Sequence, residues 1–581
     1  MERRSGAFLA TLFAICVMAF VVLAVLMLYG VGYLAPEAAV RAGVAQDLLD
    51  GSSRGREAAI CSVWWTPLPT LAQLVFAGLP GAVSSGLAAC LLSALGGAVL
   101  CLFIARAFLD SGFPRWAAGL AAALCGASPW ILLAGASGGS QIWVLALVTA
   151  ALFYFRRWTR TRRLDVLVCA SVCLGLLPVI EHQTVLYVGV IFGAALLYMV
   201  FTRGFGLSKI EGTVVLGASP VFYMVGLWFL FNWLIMGNFL HFLEGVYIHP
   251  VGTAGAVPPA AELPGWLGIW LGREPMGGAI GEMMLIAPLL PVAAVVGVVA
   301  MVVRRKLLPL VVFGLAMAMP LFHAYMAYRG QSFGRHEDLL IAVPLSFFLL
   351  AHSAGVLLSR AREEVMAWPA RSVRWVAAPA AALLGLALVG AYALVPTQRE
   401  AMPLTLSASA PFVAVRGDEA GEIEAIKQVV EAKRQDIRVA VIGFEGYRFM
   451  RAVAGDERFL HYVNWDFGLI NHNTKGKRLY LLVPKPEGAA KFDDVNVKFP
   501  ILYEEANVRL DGREVRALLQ AVDRPFINWR LIYATRYYPQ DERTPSPQAR
   551  TRESAPAEAL DGSSQGRRLL SGEPDPLRSS P

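Results

Sequence analysis

The sequence predicts a polytopic α-helical membrane protein with a small extracytoplasmic α/β domain towards its C-terminus. Three observations predict this. The 581-residue chain is 56% hydrophobic and only 16% charged, with a mean hydropathy of +0.54, which is not the composition of a soluble globule. Apolar runs of ~20 residues, the length that crosses a bilayer, recur through residues 1–396. From residue 397 to about 540 the pattern changes to alternating helical and strand-like segments.

The apolar runs lie at about 7–34, 82–105, 116–136, 140–156, 164–180, 184–202, 212–236, 281–303, 307–327, 339–358 and 375–396, about eleven in all. The first begins MERR and continues apolar beyond the length of a signal-peptide core, without a small-residue cleavage site. It therefore reads as the first membrane helix.

The loops predict the orientation. Arg3 and Arg4, Arg106 and Arg115, RRWTRTRR (156–163), Arg203 and Lys209, RRK (304–306), and Arg360, Arg362, Arg371 and Arg374 all fall on one side. The other side holds 35–81, 137–139, 181–183, 237–280 and 328–338, which are mixed or acidic. Basic loops stay in the cytoplasm, so the N-terminus is expected there, and an odd number of spans puts everything after about 397 outside. The net charge of +8 then reflects membrane topology, and no nucleic-acid partner is expected.

The seven cysteines are Cys16, Cys61, Cys90, Cys101, Cys125, Cys169 and Cys173, and all but Cys61 lie in apolar runs, where a thiol behaves as a small hydrophobe. No disulfide framework can be read from them. There is no CxxC or HExxH, hence no metal-site spacing.

In the outer domain, GEIEAIKQVVEAK (421–433) has helical spacing, RVAVIG (438–443) and RLYLLV (478–483) read as buried strands, and EGYRFMRAV (445–453) as a helix. This alternation predicts a mostly parallel sheet. No GxGxxG or GxxxxGK is present, so no nucleotide site is implied. The tail 541–581, rich in Pro, Ser, Arg and Glu, has the composition of a disordered segment. No internal repeat stands out, which disfavours the inverted-repeat transporters.

The first outside loop is the most informative. Residues 36–49 (PEAAVRAGVAQDLL) predict a helix, with Pro36 in its first turn and Gly51 just past its end. Val40, Val44, Ala45, Leu48 and Leu49 form an apolar stripe, which predicts a helix lying along the membrane surface. Glu37 falls near the middle of that stripe, in line with Arg41, Val44 and Leu48; Asp47 falls on its edge and Asp50 roughly opposite. Glu37 is then the carboxylate withdrawn from water, which suits it to general-base work. The plainer reading is an acid at a helix N-terminus, paired with Arg41 four residues on. For Asp47 and Asp50 it is exposure to solvent.

Further motifs carry a resemblance. After the acidic loop helix comes WWTPLPTLAQLVFAG (64–78). SPWILLAGASGGSQIWVLALVTAALFYFRRW joins the third and fourth helices, and GRHEDLLIAVPLSFFLLA (334–351) brings an outer arginine into a Pro-containing helix. Over residues 1–396 this order resembles the GT-C glycosyltransferases, in particular bacterial relatives of the protein O-mannosyltransferases and aminoarabinose transferases. In that family an Asp-Glu pair opens the first outside loop, and its Asp is taken as the base that deprotonates the acceptor. Here the matching dipeptide is Pro36-Glu37. A second family acid near the third–fourth helix junction is replaced by Gly138-Gly139-Ser140-Gln141. Catalysis by Glu37, catalysis by Asp47 and a non-catalytic relative are the alternatives this leaves.

The resemblance implies transfer of a sugar from a polyprenyl-phosphate donor to a hydroxyl on the outer face of a bacterial-type plasma membrane. The acceptor is a glycan, lipid or protein. Arg335, with Arg329 and His336, would hold the donor phosphate. Glu181 and His182 at an outer helix junction, with Trp64 and Trp65, would contact acceptor or sugar. The plainer readings are a hydrogen bond between helices and interfacial anchoring. The long loop 237–280 carries aromatic residues that can stack on sugars or form an interfacial belt. A divalent cation beside the phosphate fits such chemistry, but no spacing requires one. The rivals are a transporter of lipid-linked glycan and a membrane scaffold whose outer domain binds a partner.

Overall fold

The computed structural model describes residues 2–31, 33–51, 66–201, 206–240, 275–304, 308–328, 336–364, 417–432, 437–441, 458–461, 478–485, 507–511, 516–521 and 529–537, with a few single positions between them. The chain divides into two units, residues 1–508 with 519–535 and residues 509–518 with 536–581. The expected span at 375–396 and the tail from 541 lie outside the described residues.

The helices are α1 (Glu2–Val25, continued by a π-turn Leu26–Val31), α2 (Pro36–Leu49), α3 (Pro67–Gln73), α4 (Leu87–Asp110), α5 (Arg115–Gly126), α6 (Pro129–Ala136), α7 (Gln141–Thr161) and α8 (Leu164–Leu176). They continue as α9 (Val185–Phe201), α10 (Leu207–Met236), α11 (Pro275–Ile286), α12 (Leu290–Arg304), α13 (Leu308–Tyr328), α14 (Ala342–Glu364) and α15 (Gly417–Glu431). Short 3-10 turns at His182–Thr184 and His336–Ile341 lead into α9 and α14.

Among the described residues, α1, α4, α7, α9, α10 and α14 are long and apolar enough to cross a membrane, and the pair α5–α6, bent by 72°, makes a seventh if taken as one span. The sequence reading of about eleven uninterrupted spans is thus only partly matched. The expected run 116–136 breaks because Pro129 forces Ser128 out of the helical region, to ψ 129°. The run 281–303 is divided between α11 and α12, with Pro288 in the gap.

Helices α4, α7 and α14 are mostly buried, whereas α10 turns most of its length outwards, with Phe222 75% and Tyr223 66% exposed. Such a surface fits hydrocarbon, where apolar burial brings no gain and helices hold together by close packing of large on small. Phe20 of α1 shows how. An added Cβ would sit 2.9 Å from its ring at Gly97 of α4 and 2.5 Å from it at Gly135 of α6, so only glycines leave room. This socket fixes the end of α1 that feeds the first loop.

The C-terminal sheet has strands β1 (Ile437–Val441), β2 (Phe459–His461), β3 (Arg478–Pro484), β4 (Asn507–Asp511), β5 (Arg516–Ala521) and β6 (Trp529–Tyr537), in the order β2-β1-β3-β6-β5-β4. β1 lies parallel to β2 and β3, with Val439 opposite Phe459 and Tyr480. β6 runs antiparallel to β3, pairing Leu481 with Ile532. The sheet is therefore mixed rather than mostly parallel. β6 betrays itself by alternation, since Trp529 and Leu531 are buried in one cluster with Tyr533 packed against it. α15 covers that face with Ile423, Ile426 and Val430, and its buried Glu422 accepts the Trp529 backbone N–H at 3.0 Å. The helix expected at 445–453 falls almost wholly outside the described residues.

Candidate functional site

Helix α2 forms where its sequence dictates. Pro36 occupies the first turn, the following residues are rich in Ala, and Asp50 ends the helix before Gly51 turns left-handed at φ 76°. Its surroundings differ from expectation. Ala38, Ala39, Val40, Arg41, Ala42, Val44 and Ala45 are all buried, while Leu49 is 45% exposed. The first half of α2 is thus enclosed by protein on most sides, rather than laid on a surface by one stripe. Ala45 packs with Val83 and Ala88, and Leu74 and Phe76 close over them.

The enclosure contains a charge. The Arg41 side chain is 3% exposed and the Glu37 side chain 15%. Arg41 Nε donates to Glu37 Oε1 at 2.6 Å, and its Nη1 donates to the Thr66 carbonyl at 2.7 Å and to Thr70 Oγ1 at 3.2 Å. A guanidinium is tolerated at such depth only when paired and hydrogen-bonded. Thr66, Thr70 and Gln73 follow the i, i+4, i+7 spacing of one helical face, and all are buried. α3 therefore turns a polar stripe inwards. Thr66 Oγ1 and Gln73 Oε1 are buried without a hydrogen-bond partner among the described residues.

The junction between α6 and α7 completes the group. Ser140 Oγ donates to Glu37 Oε1 at 2.5 Å, and the Ala35 backbone N–H donates to the Ser137 carbonyl at 2.9 Å. Gly138 makes this approach feasible. Its φ is 85°, and an added Cβ would lie 2.9 Å from the Ala38 Cβ and 3.0 Å from the Ala89 Cβ. Its N–H donates to Ser93 Oγ on α4 at 3.1 Å. Both of these bonds to the carboxylate fall on Oε1, and none falls on Oε2 among the described residues.

Glu181 and His182 sit beyond α3. The Leu68 N–H donates to the Val179 carbonyl at 3.1 Å, tying the start of α3 to the turn that leads to them. The His182 ring lies 5.2 Å from that of Trp228 on α10, and Trp228 Nε1 donates to the Ile60 carbonyl at 3.2 Å. The first loop, the α6–α7 junction and the α8–α9 junction therefore meet at one end of the bundle.

The remaining predicted residues divide into two groups. Asp47 is ten positions along α2 from Glu37, about 15 Å by helical rise, and cannot act on the same proton. Trp64, Trp65, Arg329 and Arg335 lie outside the described residues, as does the loop 241–274. His336 begins the 3-10 turn before α14, and its side chain is likewise outside them. Among the described residues no cluster of three or more His, Cys, Asp or Glu could hold a metal ion.

Arg41, Ser140, Thr66 and Thr70 were not singled out as site residues by the sequence. Arg41 was legible as an isolated cation in a helix of small residues, and the α3 stripe as a period of 3.6. Ser140 was named only within the stretch 138–141 that stands where the resemblance expects an acid, with no role of its own. Comparison with protein-family models and with curated proteins finds no match for this chain.

Proposed function

We propose that the chain is a GT-C-like membrane glycosyltransferase. It would move a sugar from a polyprenyl-phosphate donor to an acceptor hydroxyl on the outer face of a bacterial-type plasma membrane. The observation that carries this reading is the carboxylate of Glu37. It is held by Arg41 and Ser140 through one oxygen, with no bond to the other among the described residues, where the first loop meets the α6–α7 junction. The resemblance places an acid at each of those two elements. Here one acid and one serine occupy the pair of positions and touch each other.

In this reading about eleven spans cross the membrane. The N-terminus is cytoplasmic, and the C-terminal sheet domain is extracytoplasmic. Glu37 Oε2 takes the acceptor proton as the hydroxyl attacks the anomeric carbon with inversion. Polyprenyl phosphate leaves, held by Arg335 with Arg329 and His336. Arg41 orients the Glu37 carboxylate. Thr66 Oγ1 and Gln73 Oε1 can accept bonds from acceptor hydroxyls. Glu181, His182, Trp64 and Trp65 would line the acceptor side.

A second reading has its own support. Glu37 and Arg41 make a closed pair one helical turn apart, and residues 138–141 contain no acid. Both suit a non-catalytic scaffold. Sugar transfer in proteoliposomes separates the two. Labelled polyprenyl-phosphate sugars are supplied with a membrane extract as acceptor, comparing wild type with folded Glu37→Gln. A loss of about 10²-fold or more supports Glu37 as the base. Transfer that survives the substitution removes Glu37 from the chemistry, and no transfer from any donor favours the scaffold.

A further inference from the structure

The opposite end of the bundle carries more cations than acids among the described residues. α7 ends in the run RRWTRTRR (156–163), and the α4–α5 loop lies beside it. The acids among the described residues of this region are already engaged. Asp110 Oδ2 lies 3.2 Å from Arg160 and 3.8 Å from the buried Arg156, and Asp165 lies 2.8 Å from Arg163. Arg115 and Arg157 are exposed, and their side chains make no hydrogen bond or ion pair among the described residues.

Arg162 adds a second, independent observation. It is the single non-glycine residue with positive φ among those described, at 57°. That conformation is disfavoured for an arginine. It is kept by Tyr198 of α9, whose hydroxyl accepts from Arg162 Nη2 at 2.8 Å and whose ring lies 4.7 Å beneath the guanidinium. The resulting sharp turn sets Arg163 and Leu164 at the head of α8. Leu164 is 59% exposed, and Trp116, next to Arg115, is 38% exposed. Twice, then, an arginine stands beside an outward-facing apolar side chain.

We infer that this end is a binding surface for anionic phospholipid headgroups. Arg115 and Arg157 would meet the phosphate, and Trp116 and Leu164 the adjoining glycerol and acyl region. The apolar partners choose lipid over free phosphate, because an inorganic ion has nothing to set against them. The inference is independent of glycosyl transfer.

The test uses the full-length protein in nanodiscs of phosphatidylcholine with or without phosphatidylglycerol, read by native mass spectrometry for retained lipid. Wild type should retain phosphatidylglycerol preferentially. Arg115→Gln with Arg157→Gln should weaken that retention by about 25-fold, each cation near an anionic surface being worth roughly a factor of five. The double Lys variant, which keeps both charges, should retain most of it. Equal retention of the two lipids, or a Gln variant that binds like wild type, overturns the inference. So does displacement of phosphatidylglycerol by inorganic phosphate, which would make this a free-phosphate site. An unchanged melting midpoint in phosphatidylcholine alone shows that the variants are folded.

Discussion

A buried arginine stands near each end of α7, Arg41 of α2 at its start and its own Arg156 towards its end, and the two are held in different ways. Near its start Arg41 is bound to a carboxylate, a carbonyl and a hydroxyl. Near its end Arg156, 1% exposed, leans on the Ser111 hydroxyl at 2.8 Å and the Ala107 carbonyl at 3.5 Å, with the Asp110 carboxylate no nearer than 3.8 Å. Its Nε has no partner among the described residues. One end is a neutral, closed pair that holds a carboxylate in place. The other is a surplus of positive charge anchored chiefly by a hydroxyl, with backbone oxygens further off. A pair of the first kind is built to position a group, and the second to present a field.

The largest effect that can break this contrast is Arg41→Ala. It strands the Glu37 carboxylate in a buried site, a situation that costs about 3–5 kcal/mol. Thermal or denaturant unfolding in detergent would show it, and a loss below 1 kcal/mol would mean that water reaches the pair freely. Ser140→Ala comes next. A hydrogen bond to a charged group is worth roughly 1.5–3 kcal/mol. Sugar transfer, if Glu37 is the base, should fall with it, because the carboxylate loses its second anchor.

Arg156→Met should cost only about 1 kcal/mol, since it removes a buried charge without stranding a counter-charge. If it proves as damaging as Arg41→Ala, Asp110 is a true ion-pair partner and the two ends are alike. Arg163→Ala should leave stability unchanged within error, because its pair with Asp165 is well exposed on both sides. A measurable loss would show that the turn at Arg162 depends on it.

Much of the local architecture was legible. The bounds of α2 follow from Pro36 and Gly51, and the phase of Glu37 follows from a period of 3.6. The break at Ser128–Pro129 was also legible, but hydropathy averages side chains and does not see that a proline restricts the residue before it. The direction of β6 was not legible, since strand pairing is decided by contacts distant in sequence. The same holds for Ser140. An acid paired with an arginine one turn away is a local event. The hydroxyl that completes the site comes from 103 residues further on.

That separation has a consequence for biosynthesis. At about 5–20 residues per second, synthesis delivers Ser140 roughly 5–20 s after Glu37. During that interval α2 must wait at the membrane without its final partner. The Glu37–Arg41 pair forms within one helical turn, so the segment can travel as a neutral unit before α7 exists. Local pairing thus acts as an internal chaperone for the charge, and the order of translation becomes part of how the site is assembled.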